Sequence, residues 1–297
     1  MFGAGGGVAG PGAAYLRPIH RDDRPRVGRF LHEHLNDRIS AQKWTEAMAP
    51  TWQVDAPNSG FMLVEGEEVV GVQLAFYSVR GTSSGPVRIC NIAAFCVLPE
   101  YRAHSLRLLR AVLSQPGYSF TDLSPSGNVQ PLNLRLGFHQ LDTTSALVPN
   151  LAWLPTPPRV QLVSDANAIA ERLDGTDLRI FLDHRGAQAA HHLLLVSGSR
   201  RCHIIFRRDR RKRLPLFATI LHVSDPQLFR LGRGQVFRHL LLRRGILFTL
   251  LELRLVHDRP PPLSVLLPGH RPKMFRSEQL LPDAIDYLYS ELTCVAW

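Results

Sequence analysis

The sequence predicts a mixed α/β fold, of the α+β kind with a mixed sheet, on three observations. Residues 89–110, ICNIAAFCVLPEYRAHSLRLLR, pass from an apolar β-rich run through Pro99 and Arg102 into a helical apolar pattern. Residues 61–65 and 69–79 are two β-rich runs joined at Gly66-Glu67, the signature of a hairpin. Residues 119–138 read as a strand, a turn, a short helix and a Gly137 stop.

Taken in order, residues 15–18 begin as an edge strand. Asp22 or Asp23 caps a helix through Leu35, in which Val27, Phe30, Leu31 and Leu35 recur at helical spacing. A second helix covers 40–48, and the hairpin and the strand–loop–helix junction follow. The resulting order is β-α-α-β-β-β-α-β-α-β. The junction carries chemistry: a helix start leaves backbone N–H groups unpaired, and with the helix dipole they form a seat for phosphate.

The chain of 297 residues, 45% hydrophobic, is long enough for two domains. Four prolines within residues 149–158 mark a linker, and charge divides there. Residues 1–150 hold 13 Lys+Arg against 12 Asp+Glu, whereas 151–297 hold 22 against 13, so the second half carries +9 of the net +10. We therefore expect a flexible Gly-rich tail over 1–14, a first domain over 15–148, a linker over 149–158 and a second domain over 159–297. The tail lacks the apolar core of a secretory signal, and residues 246–251 are too short to span a bilayer. Cys90, Cys96, Cys202 and Cys294 form no metal or redox spacing, which predicts reduced packing residues in a cytoplasmic protein. Cys90 and Cys96, six apart, are expected on one face of a strand. The His-Glu-His at 32–34 lacks the spacing of a zinc helix, and no metal site is expected.

The second half repeats the order faintly: a helix at 165–173, strands at 192–196, 202–207 and 216–223, a helix at 236–243 and a strand at 246–255. Residues 282–292 start with Pro and place Ile285, Leu288 and Leu292 on one face, which predicts a docked terminal helix.

The pairing of V-L-P-E-Y-R (97–102) with a later S-P-S-G-N (124–128) and L-R-L-G-F (134–138) resembles the GNAT superfamily of acyl-CoA-dependent N-acyltransferases, over roughly residues 15–146. The resemblance implies a GNAT-like fold, with the second half as a degenerate tandem GNAT-like domain. It implies that the strand carrying Phe95, Cys96 and Val97 splays from its neighbour and offers free backbone groups to the pantetheine arm of acetyl-CoA or another acyl-CoA. It also implies that Arg102, Ala103, His104, Ser105, Leu106 and Arg107 wrap the pyrophosphate, with Asn128 near the distal part of the donor. Two positions depart from the family pattern. Ser105 stands for a small residue and is a mild change if its φ is negative; Arg107 stands for another, and either blocks the phosphate or adds charge to it. The family's usual carboxylate and Tyr are replaced by Cys90-Asn91 and by Asn133. Asn91 to orient a water, Asn133 in the place of that Tyr, Tyr77 as acid, and His104 as a group titrating near neutral pH are the stand-ins.

Residues 200–213 hold eight Arg or Lys. They read as a solvated basic turn between strands or as a surface for an acidic partner such as an acyl-carrier protein, with nucleic acid ranking lower for want of any helix-turn-helix or zinc pattern. The leading function is N-acyl transfer from acyl-CoA to a small-molecule or protein amine. The alternatives are a non-catalytic GNAT-like binding or regulatory protein, and a basic interaction module.

Overall fold

The computed structural model describes residues 14–82, 85–152, 160–211, 214–269 and 271–296. The expected tail up to residue 13 and residues 153–158 of the expected linker lie outside them. Ala14 itself is buried against Leu63, Tyr101 and Leu108.

The first half runs β1 (Tyr15–Pro18), α1 (Arg24–His34), α2 (Ala41–Ala47), β2 (Gly60–Glu65), β3 (Glu68–Thr82), β4 (Gly85–Val97), α3 (Ser105–Leu113), β5 (Tyr118–Asp122), α4 (Gln130–Arg135), β6 (His139–Gln140) and β7 (Ser145–Pro149). The second runs β8 (Gln161–Val163), α5 (Ala166–Ala170), α6 (Gly175–His184), β9 (His191–Ser197), β10 (Arg200–Arg211), β11 (Leu214–Val223), α7 (Pro226–Arg244), β12 (Phe248–Glu252), β13 (Val265–Leu267), β14 (Met274–Arg276) and α8 (Glu291–Cys294). The mixed α/β expectation and the element order of the first half hold.

Two seven-stranded mixed sheets result, in the orders β1-β2-β3-β4-β5-β14-β6 and β13-β7-β12-β11-β10-β9-β8. They exchange strands. β7, from before the expected linker, sits between β13 and β12 of the second sheet, and β14, from near the C-terminus, sits between β5 and β6 of the first. Residues 280–295 lie between the halves: Ile285, Tyr287 and Leu292 pack with Val87 and Ile89 of β4 and with Leu221 of β11.

Local expectations fail where tertiary contacts compete with local preference. Asp23 stands at the start of α1 but does not cap it; its carboxylate is taken by Arg17 at 2.6 Å, Arg26 at 2.7 Å and the His20 N–H. The helix expected at 236–243 begins at Pro226, where Asp225 accepts from the Leu228 N–H; Gly232 and Gly234 hid its first turns from a propensity reading. A Cβ at Gly232 would come within 2.7 Å of the end of the Leu195 side chain, so α7 packs closely on β9 there. The docked terminal helix at 282–292 is replaced by a 3-10 turn at Pro282–Ala284, an extended stretch and the four-residue α8. Tyr289, at φ 57°, breaks the helix; its N–H goes to His184 Nε2 at 3.0 Å and Arg80 lies over its ring.

Cys90 and Cys96 do not share a face. The β3–β4 register slips between Val72 and Leu74, where β4 accommodates an extra residue and Ala94 takes φ 52°. The bulge inverts the alternation: Cys90 packs with Leu109 and Val112 of α3, whereas Cys96 packs on the α1 side and donates to the His34 carbonyl at 3.5 Å.

Candidate active site

The bulge has a second effect. β4 and β5 run parallel from Arg88↔Tyr118 to Ile92↔Asp122, where the ladder ends while β4 continues to Val97. The sheet forks at Ala93. Backbone groups along 93–97 on that edge have no partner strand among the described residues, which is what an amide-rich ligand laid into the fork would require.

At the apex of the fork sits a buried polar cluster. Asn91 donates to Thr121 Oγ1 at 3.1 Å and accepts from the Glu291 N–H at 3.3 Å. Asn133, on α4, donates to Asp122 Oδ2 at 2.8 Å. The Ser124 hydroxyl donates to Glu291 Oε1 at 2.7 Å, and Ser124 is itself exposed. Glu291 and Asn133 are fully buried, and Glu291 Oε2 and Asn133 Oδ1 have no hydrogen-bond partner among the described residues. Burial without a cation pushes the Asp122 carboxyl up to about 7. Burial, with the neighbouring Asp122 carboxylate, does the same to Glu291. A carboxyl that titrates near neutrality and is joined to an exposed hydroxyl, as Glu291 is to Ser124, can accept and return a proton.

The expected catalytic residues divide. Asn91 and Asn133 meet at this cluster. Tyr77 does not: it points to the α3 side, where its hydroxyl donates to Asn58 at 2.7 Å and engages Gln115, and burial raises its pKa. The sequence reading missed Asp122, Ser124 and Glu291. Asp122 carried one signal, an acid at the end of an apolar strand; Glu291 comes from 200 positions after Asn91 and carried none.

Of the expected donor residues, Phe95 and Val97 face α3 and Cys96 the opposite side of the sheet. Residues Pro99–His104 are a 3-10 helix running into α3 rather than an open loop, so several of their amides bond internally. Ser105 has φ −57°, the condition under which it substitutes mildly for a small residue, and its hydroxyl bonds the Arg102 carbonyl at 2.6 Å. Arg107 is drawn aside, with Nη1 at 3.2 Å from the Ala14 carbonyl and 3.3 Å from His104 Nδ1. Arg102, Ala103, Arg107, Arg110 and Asn128 are exposed, while Leu106 is half-buried.

The basic run is not one patch. Arg200 pairs with Asp225 at 2.7 Å, and Arg207 is buried, bonded to Asp209 at 2.9 Å and to the Leu292 carbonyl. Asp209 is also held by Arg271 and Thr219. Lys212 and Arg213 lie outside the described residues. No group of three metal-ligating side chains occurs among the described residues, and no helix among them is long and apolar enough to cross a membrane.

A mixed sheet forked after its fourth strand, with a helix closing the fork, is the fold of the GCN5-related N-acetyltransferases, and this chain has it. It is similar to a GCN5-related N-acetyltransferase from Anabaena variabilis, with a TM-score of 0.59 and 14% identity over 89% of this chain and 72% of that one. It is also similar to one from Kribbella flavida, at 0.53 and 14% over 89% and 70%. Saccharomyces cerevisiae N-myristoyltransferase, solved with myristoyl-CoA bound, matches at 0.50 and 11% over 93% and 83%. At such identities the likeness is one of fold. No family model and no curated protein matches the sequence.

Proposed function

We propose that the protein is an N-acyltransferase that moves an acyl group from acyl-CoA to a small-molecule or protein amine. One observation carries the reading: the sheet forks where two buried carboxyls poised near neutral pH converge with Asn91 and Asn133. The donor would supply an activated thioester carbonyl. The free backbone edge at 93–97 suits its amide-rich arm, and exposed Arg102 and Arg107 at the start of α3 supply positive charge for its phosphates. Glu291, reached through Ser124, takes the proton that the amine loses as the C–N bond forms; the thioester C–S bond then breaks, and that proton goes to the departing CoA thiolate. Burial holds the Glu291 carboxyl near neutrality, and Asp122, braced by Asn133, adds to that through its neighbouring charge. Asn91 fixes the Glu291 backbone.

The test is calorimetric titration with acetyl-CoA and a longer acyl-CoA, followed by thiol release with a panel of amines. We expect saturable binding that weakens in Arg102→Ala, and a Glu291→Gln variant that binds the donor as before but loses about 100-fold or more in turnover. Absence of binding to either donor would refute the reading. A non-catalytic GNAT-like binding protein is the second reading, favoured by the commitment of the Asn91 side chain to the Glu291 N–H and to Thr121. Donor binding without turnover of any amine would favour that one.

A further inference from the structure

Beneath the loop joining α2 to β2, against residues 75–77 of β3, lies a cavity of about 300 Å3. Trp52, Val54 and Phe76 form its apolar wall, and among the described residues Arg24 is the single charged side chain lining it. The wall is fixed: Trp52 donates its indole N–H to the Tyr77 carbonyl at 2.8 Å, and the Tyr77 hydroxyl is committed to Asn58 and Gln115.

Arg24 is the unmet group. Its Nε donates to Ser59 Oγ at 3.2 Å, and its two terminal nitrogens have no partner among the described residues. The nearest carboxylate in sequence, Asp23, is already shared by Arg17 and Arg26 at 2.6 and 2.7 Å. Burial and a second positive charge, Arg21, both act on the half-buried guanidinium, and no carboxylate among the described residues pairs with it. The Ser59 hydroxyl accepts from Arg24 and still has its own proton to donate. A planar fork of N–H donors beside a free hydroxyl is shaped for a carboxylate. One net positive charge calls for one negative charge, and the aromatic and aliphatic wall calls for an apolar body.

We propose that this cavity binds a small organic monocarboxylate, with its carboxylate on Arg24 and Ser59 and its apolar part against Trp52, Val54 and Phe76. The site goes beyond acyl transfer and stands whether or not the fork is catalytic.

Phenylacetate is the probe, titrated calorimetrically into the full chain, with phenylacetamide and inorganic phosphate as comparators. We expect saturable 1:1 binding of phenylacetate, at least tenfold weaker binding of the neutral amide, and no competition from phosphate at equal concentration. Arg24→Gln should weaken phenylacetate at least tenfold, while Arg29→Gln, an exposed position on the same helix, should leave it unchanged. Ala56→Phe, which fills the cavity from its exposed lip and leaves Arg24 in place, should weaken it as well. Equal binding of acid and amide, indifference to both Arg24→Gln and Ala56→Phe, displacement by phosphate, or no saturable binding would each overturn the proposal.

Discussion

Glu291 and Asp122 are acids held where acids are costly, and the cost depends on pH. Each folded-state pKa, at about 7, lies above the ordinary carboxylate value. The folded state therefore holds these protons more tightly than the unfolded chain does. The stability this confers is complete below about pH 4 and is lost as pH rises towards 7, at up to about 1.4 kcal/mol per pH unit for each group. Asp122→Asn and Glu291→Gln should each flatten that slope in urea midpoints measured between pH 4.5 and 7.5, and an unchanged slope in both would refute the assignment. Asn91 and Asn133 were legible in the sequence as polar residues where the family places acid–base groups. Their acidic partners were not, because a cluster closed by contacts 11 and 200 residues apart leaves no local pattern.

The bulge in β4 is the element on which the site depends. By inserting one residue opposite β3 it turns β4 off its parallel ladder and reverses which side chains face α3. Ala94 takes a left-handed φ of 52° there, a conformation tolerated by a small residue and resisted by a β-branched one. Ala94→Val should cost about 1–2 kcal/mol in unfolding free energy and impair donor binding, whereas Ala94→Gly should preserve binding. Comparable donor affinity in both variants would mean that the bulge does not set the fork. The neighbouring junction shows what sequence can carry: a strand, Pro99 and an apolar helix were visible in residues 89–110, but the alternation of Cys90 and Cys96 was misread because period-two reasoning assumes a regular strand.

At the scale of the whole molecule, the two halves are interlocked rather than strung in series. β7 completes the second sheet, β14 the first, and the chain from 280 to 295 fills the space between them. Buried charge crosses the same seam: Lys273, the residue before β14, pairs with Glu252 of β12, which also accepts from Tyr287. Leaving one such charge without its partner costs about 3–5 kcal/mol. Residues 14–152 and 160–297 expressed separately should therefore each fail to give a cooperative melt, and mixing or co-expression should restore one. A cooperative transition in the first fragment alone would show that β14 and Glu291 are dispensable to its core.

What the sequence determined by itself was local: the mixed α/β class, the order of elements to residue 138, and the strand-to-helix junction, because hydrophobic period and turn residues act over a few positions. The tertiary structure decided the strand exchange, the short helix α8 in place of a long terminal one, the face of each cysteine and the nearness of Glu291 to Asp122. Those outcomes depend on which distant surfaces exclude water together. Tyr289 shows this most plainly, since it leaves the helical region only because His184, Trp52 and Arg80, far away in the chain, enclose its ring and its N–H.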